Sequence, residues 1–124
     1  MVTIGLAGCG QMGTDIMVQL NRMPGLRLGA VAEMRPPQAK AAAAMAGFTE
    51  DRTVYAETPA AIDKAIESGH IAITSDPAVL AKSGRIDVVI DATGNPNTGT
   101  QFALESIASG KHVVMLNVEA DITI

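Results

Sequence analysis

The chain has 124 residues, of which 48% are hydrophobic and 18% are charged. This composition is typical of one globular domain rather than of a disordered chain. The net charge of −4 argues against a nucleic-acid partner, and no apolar run reaches the roughly 18 residues that a membrane-spanning helix needs. A single cysteine excludes an internal disulfide, and the N-terminus lacks the features of a signal peptide. We therefore expect a cytoplasmic protein with no membrane partner.

Strand and helix patterns alternate along the chain. In order, they predict a strand at about residues 3–7, a helix at 11–23, a strand at 26–32, a helix at 36–46, a helix at 58–68, a strand at 71–74, a short helix at 77–82, a strand at 86–91, a helix at 97–109 and a strand at 112–116. Segment 48–58 carries four charges and is expected to be a surface loop that could include a short strand at 53–55. The alternation predicts an α/β fold, a Rossmann-type doubly wound parallel sheet with helices on both faces.

A glycine motif follows the first predicted strand, where the chain reads Gly8-Cys9-Gly10-Gln11-Met12-Gly13. Gly8 permits a tight turn, Gly10 lets a pyrophosphate approach the main chain, and Gly13 lets the helix pack close to the sheet. Glu33, at the end of the second predicted strand, is placed to accept hydrogen bonds from ribose hydroxyls. The strand before, the helix after and this acidic residue together predict a dinucleotide-binding site, the alternative being a glycine-rich turn without a ligand.

A second loop is expected at the same edge of the sheet. The predicted strand at 86–91 ends in Ala92 and continues as Thr93-Gly94-Asn95. Because ligands of open α/β sheets bind at the carboxyl ends of the strands, Thr93, Gly94 and Asn95 are expected to flank the ribose and nicotinamide of the cofactor. The alternative is an ordinary turn between a strand and a helix.

Three segments carry a resemblance to a known family: the motif at 8–13, the strand end Asp91-Ala92-Thr93-Gly94 and the run Gly110-Lys111-His112-Val113-Val114. They resemble the N-terminal NAD(P)-binding domain of the homoserine dehydrogenase-like superfamily. Residues 67–76 and 115–124 are similar to a branch with a SAF-type domain that includes the 1-deoxyxylulose-5-phosphate reductoisomerase-like enzymes.

The resemblance implies an NAD(P)-dependent oxidoreductase that transfers a hydride between nicotinamide and a small polar substrate. By motif, Gly8, Gly10, Gln11, Met12 and Gly13 form the pyrophosphate loop, with residues 93–95 beside the nicotinamide ribose. The resemblance further implies a separate substrate and dimerisation domain. Residues 1–124 are therefore expected to be the dinucleotide-binding domain of a longer, homo-oligomeric enzyme, inactive by themselves.

One departure from the family concerns the end of the chain. Homoserine dehydrogenases carry an Asn-Lys pair after the fifth strand, and here Asn117 is followed by Val118. An apolar side chain cannot donate a proton or hold an oxyanion. This departure favours the branch with the SAF-type domain, here called the divergent branch. Glu119 and Asp121 are charges that either contact a substrate or are simply solvated. The catalytic residues stay unassigned, and two histidines with one cysteine give no metal-ligand pattern.

The sequence leaves the choice between NAD and NADP open. Glu33 would repel the 2′-phosphate of NADP, whereas Arg35 offers a guanidinium that suits it, before the stiff pair Pro36-Pro37. The reductive chemistry of the divergent branch favours NADP slightly. Two alternative interpretations of the function stay open. One is a sugar-phosphate reductoisomerase of the same superfamily. The other is a non-catalytic nucleotide- or CoA-binding module, and Glu33 argues against CoA because CoA lacks a free ribose 2′,3′-diol.

Overall fold

The computed structural model describes residues 2–8, 11–92 and 110–115. Its strands are β1 (Val2–Ala7), β2 (Leu26–Ala32), β3 (Thr53–Tyr55), β4 (Ile71–Thr74), β5 (Val88–Asp91) and β6 (His112–Met115). They form one sheet in the order β3-β4-β2-β1-β5-β6, and every neighbouring pair is parallel. The described helices are α1 (Gln11–Arg22), α2 (Pro36–Met45), α3 (Pro59–Glu67) and α4 (Pro77–Ala81), with a single 3₁₀ turn at Glu50–Arg52.

Helices cover both faces of the sheet. On one face, α1 and α2 pack against larger strand residues, a cluster that includes Leu6, Met17, Leu28, Val31 and Ile73. On the other face, α3 and α4 pack against smaller strand residues, a cluster that includes Ala30, Ala72, Ile62, Ile66 and Leu80. The chain is therefore a doubly wound α/β domain, which confirms the predicted fold class.

A threonine cap and a glycine turn set two of the helix boundaries. The Thr58 hydroxyl accepts a hydrogen bond from the Ala61 N–H at 3.1 Å, which caps α3 just before its first residue. At the end of α2, Gly47 has a φ of +99°, and the Phe48 N–H donates to the Ala43 carbonyl at 3.0 Å. This left-handed turn ends the helix and directs Phe48 back toward the core.

The expectation of a surface loop at 48–58 is wrong for part of that segment. Phe48 is 6% exposed and Ala56 is 4% exposed, and residues 53–55 form the edge strand β3, parallel to β4. The charges indicated a surface loop because they lie in the 3₁₀ turn and just beyond the strand, whereas Phe48 and Ala56 are buried in the two cores. The short strand that was considered at 53–55 is confirmed.

The other predicted elements inside the described residues are confirmed, with their ends shifted by at most two residues. The predicted helix at 97–109 and the last residue of the predicted strand at 112–116 lie outside the described residues. Within the part of the chain that the structure describes, no helix has the length and apolar character needed to cross a membrane.

Candidate functional site

The strand order reverses at β1, which has β2 on one side and β5 on the other. Ligands of open α/β sheets bind outside the carboxyl ends of the strands at such a switch point. At that edge Ala7 is in register with both Ala32 and Asp91, and Ala32 is in register with Thr74. The loops after β1, β2, β4 and β5 therefore begin side by side.

Backbone hydrogen bonds extend this edge one residue beyond the strands. The Gly8 N–H donates to the Ala32 carbonyl at 2.8 Å, and the Glu33 N–H donates to the Thr74 carbonyl at 2.9 Å. Gly8 and Glu33, which directly follow neighbouring strands, are thus tied to the sheet by their backbone N–H groups.

The turn after β1 is built for a close approach of backbone to backbone. Gly8 has a φ of +93°, a conformation that residues with a Cβ rarely adopt. A Cβ at Gly13 would lie 2.4 Å from the carbonyl oxygen of Gly8, closer than two such atoms can stand. Helix α1 begins at Gln11 and has no acidic residue in its first turn. Its first N–H groups and the positive end of its dipole therefore meet no carboxylate of that turn, which suits an anion.

Glu33 lies half-buried directly after β2. Its Oε1 accepts a hydrogen bond from the Arg35 N–H at 3.4 Å, so the carboxylate is turned over the start of the loop. The Arg35 side chain is exposed. Glu33, which favours NAD, and Arg35, which favours NADP, thus lie at the same edge of the sheet, with Glu33 nearer the sheet.

Glu57, which the sequence indicated only as one of four charges in a loop, lies at the same edge. Its Oε1 accepts the Ser75 N–H at 3.0 Å, and its Oε2 accepts the Ser75 hydroxyl at 2.8 Å and the Thr74 hydroxyl at 3.2 Å. The turn that follows β4 is therefore clamped by a carboxylate. A signal existed: once 53–55 is taken as a strand beside β4, Glu57 must fall at its carboxyl end.

A second polar group lies at the opposite, amino edge of the sheet. The Asp87 carboxylate accepts the Thr3 N–H at 2.9 Å, Asp63 accepts the Ser83 hydroxyl, and Lys111 Nζ donates to the Ser83 carbonyl. Burial lowers the pKa of Lys111, and the attraction of Asp63 and Asp87 offsets this only in part. This group connects α3, β1, the turn after α4 and the residues just before β5 and β6, at the opposite edge of the sheet from the glycine turn.

The remaining predicted site residues divide into two sets. Gln11 and Met12 belong to the first turn of α1. The others lie outside the described residues: Gly10, Thr93, Gly94 and Asn95, together with Cys9 and the segment 117–121. Among the residues that are described, no group of three His, Cys, Asp or Glu side chains could hold a metal ion.

The comparisons with known proteins agree with this geometry. Residues 8–122 match the family model described as homoserine dehydrogenase, NAD binding domain. No protein of curated function matches the sequence significantly.

Solved structures give the same fold. A homoserine dehydrogenase from Thiobacillus denitrificans has a TM-score of 0.71 and 21% identity, covering 98% of this chain and 25% of that protein. A scyllo-inositol dehydrogenase from Lactobacillus casei, with bound NAD(H) and scyllo-inositol, has a TM-score of 0.64 and 18% identity, covering 98% of this chain and 31% of that one. A levoglucosan dehydrogenase in complex with NADH and L-sorbose has a TM-score of 0.66 and 24% identity, covering 92% of this chain and 26% of that protein. The chain thus spans about a quarter to a third of these proteins.

Proposed function

The chain belongs to the family of homoserine dehydrogenase NAD-binding domains, and we propose that it binds NAD(H) at the carboxyl edge of its sheet as the cofactor half of a dehydrogenase. The proposed reaction is hydride transfer between nicotinamide and a small polar substrate. The cofactor supplies the hydride chemistry, and the residues of this chain bind it and fix its orientation.

The observation that carries the proposal is the glycine turn at the switch point. Gly8 has a positive φ, and its carbonyl oxygen lies 2.4 Å from where a Cβ on Gly13 would stand, so at these two positions backbone meets backbone with no room for a side chain. A pyrophosphate can approach such a surface and accept hydrogen bonds from its N–H groups. We assign Gly8, Gly10 and Gly13, with the backbone of residues 11–12, to the pyrophosphate, and residues 93–95 to the nicotinamide ribose.

Glu33 supports NAD rather than NADP. Its carboxylate stands at the end of β2, beside the glycine turn, where the adenosine ribose of a bound dinucleotide would lie. There it would accept hydrogen bonds from the ribose 2′- and 3′-hydroxyls and repel a 2′-phosphate. The exposed side chain of Arg35 is free to stack on the adenine. The slight preference for NADP inferred from the divergent branch stays untested.

Residue 118 bears on the class of substrate. Val118 occupies the position at which homoserine dehydrogenases carry a lysine, so we expect a small polar substrate other than homoserine. In the matched dehydrogenases about three quarters of the length lies outside the matched region. We propose that the corresponding parts of a longer polypeptide hold the substrate and the oligomer interface.

Thermal unfolding of the chain with ligands tests the proposal. We expect NAD⁺ and NADH to raise the unfolding midpoint, because a ligand at about a hundred times its Kd adds roughly 2.7 kcal/mol to the folded state, or roughly 10 °C for a domain of this size. NADP⁺ should have a smaller effect and CoA none. A shift with CoA alone would replace the proposal with a CoA-binding module, and no shift with any dinucleotide would overturn it.

Turnover is measured on the same samples. With NAD⁺ and L-homoserine, or with NADPH and a ketose phosphate, we expect no change in nicotinamide absorbance from this polypeptide. Measurable oxidation or reduction would show that the chain itself carries the catalytic groups.

A further inference from the structure

The Glu57 carboxylate lies directly beside the proposed adenosine-binding position. Ala32 and Thr74 are in register, and Glu33 and Ser75 are the residues that follow them on neighbouring strands, about one strand spacing (~5 Å) apart. Glu57 accepts two hydrogen bonds from Ser75, through the backbone N–H and the hydroxyl. Its charge is therefore held against Ser75, the neighbour of Glu33 at this edge, although Glu57 lies two residues after the end of a different strand, β3.

The hydrogen bonds fix the direction of the carboxylate. Glu57 is exposed, and an exposed glutamate ordinarily samples several rotamers. Here both of its oxygens are occupied by the turn after β4, with Oε2 also accepting the hydroxyl of the buried Thr74. The negative charge thus has one position at the rim of the site.

The other charges at this rim are of both signs. Asp76 caps α4 by accepting the Ala78 N–H at 2.9 Å. Arg35 follows Glu33 on the loop, and the ammonium of Lys40 lies 5.3 Å from the centroid of the Tyr55 ring. Without Glu57 the formal charges of Glu33, Asp76, Arg35 and Lys40 cancel. Glu57 therefore makes the net charge of this group of five residues −1.

We propose that Glu57 is a second specificity-determining residue, which acts with Glu33 to reject the 2′-phosphate of NADP. This inference rests on the proposed dinucleotide site. A 2′-phosphate carries a charge close to −2, and bound beside Glu33 it would stand roughly 8 Å from Glu57, where repulsion in a water-like medium weakens binding by about fivefold. NAD has an uncharged hydroxyl at that position, so the Glu57 carboxylate does not repel it.

The test compares the Kd values of NADP⁺ and NAD⁺, measured by calorimetric titration at low ionic strength. Glu57→Gln keeps an acceptor oxygen for the Ser75 N–H and removes the charge. We expect it to lower the ratio of the NADP⁺ Kd to the NAD⁺ Kd by roughly three- to fivefold, with the NAD⁺ Kd nearly unchanged. The effect should shrink near 0.15 M salt, because the Debye length there is about 8 Å.

Asp51→Asn is the matched control. It removes the same charge from the 3₁₀ turn at the other end of β3 and should leave the ratio unchanged. Ser75→Ala keeps the Glu57 charge and removes its hydroxyl partner, so it should move the ratio less than Glu57→Gln does. If Glu57→Gln fails to fold, Glu57→Thr provides a second neutral side chain for the same measurement.

The outcomes separate the two claims. If the wild-type chain binds neither dinucleotide, the proposed function itself fails. If it binds NAD⁺ and the ratio is the same in Glu57→Gln as in Asp51→Asn, only the role of Glu57 is refuted. A ratio that changes in Glu57→Gln but does not respond to salt would also refute a role through charge.

Discussion

Gly13 sets how closely α1 can approach the turn after β1. A Cβ at this position would lie 2.4 Å from the Gly8 oxygen and 3.0 Å from its carbonyl carbon. Both neighbours are backbone atoms, which cannot swing away as a flexible side chain could. An added methyl group would therefore displace either the helix or the turn, and with it the N–H groups that we assign to the pyrophosphate.

We accordingly expect Gly13→Ala to lower the free energy of unfolding by about 1–3 kcal/mol, the usual range for overpacking, and to weaken NAD⁺ binding. Urea unfolding and titration with NAD⁺ measure the two effects. Gly84→Ala is the control, because a Cβ there would lie 3.5 Å from the Asp63 Oδ2, an ordinary contact. Equal stability and equal affinity in the two variants would contradict the proposed role of Gly13.

Helix α2 shows how an alanine-rich element packs. Its inner face consists of Ala39, Ala42 and Ala43, which are at most 6% exposed, while Ala41 and Ala44 are exposed. Because its inner side chains are only methyl groups, the helix axis can lie close to α1 and to the strands beneath. The same residue type thus has two roles along one helix: close contact inside and helix propensity outside.

This difference predicts two unequal outcomes for one substitution. Ala43→Leu inserts three carbon atoms at a fully buried position and should lower the free energy of unfolding by about 1–3 kcal/mol. Ala44→Leu, one residue later on the exposed side, should change it by less than about 0.5 kcal/mol. Chemical unfolding of both variants provides the measurement. A similar loss in both would mean that α2 is packed on more than one side.

The elements that sequence predicted well are those with local signals at their ends. Proline at the starts of α2, α3 and α4 and glycine after α2 mark boundaries without reference to the rest of the chain. Strand β3 has only three residues, and Tyr55 at its end is 53% exposed, so its pattern is too short to distinguish a strand from a loop. The position of Glu57 depends on the pairing of β3 with β4, which local patterns do not encode.

At the scale of the whole molecule, the sheet has two polar edges with different origins. The glycine turn and Glu33 at the carboxyl edge could be predicted, because strand order and a short motif suffice to bring them together. The group at the amino edge could not, because the Asp87 carboxylate and the Thr3 N–H that it accepts are 84 residues apart. Such contacts follow from the finished sheet rather than from any segment. The predicted cytoplasmic location and homo-oligomer remain predictions.

Lys111 gives this amino edge a dependence on pH whose sign can be derived. Burial lowers its pKa below the ordinary 10.5, so between the lowered value and 10.5 the folded state binds fewer protons at this group than the unfolded state. The free energy of unfolding therefore rises with pH through that window. Below the window both states carry the charge, and the folded state bears the full cost of burying it.

We expect the wild-type chain to gain stability relative to Lys111→Met as pH rises toward about 10.5, through the window between the lowered pKa of Lys111 and its ordinary value. Loss of the hydrogen bond to the Ser83 carbonyl changes the free energy of unfolding of the variant by an amount that does not depend on pH. Only the slope, against pH, of the difference in free energy of unfolding between the two proteins therefore reports the titration of Lys111. Urea unfolding at several pH values gives that slope, and Lys82→Met, at an exposed position after α4, controls for the loss of one positive charge. A flat difference, or a wild type that loses stability relative to Lys111→Met over this range, would show that the Lys111 ammonium is not desolvated in the folded protein.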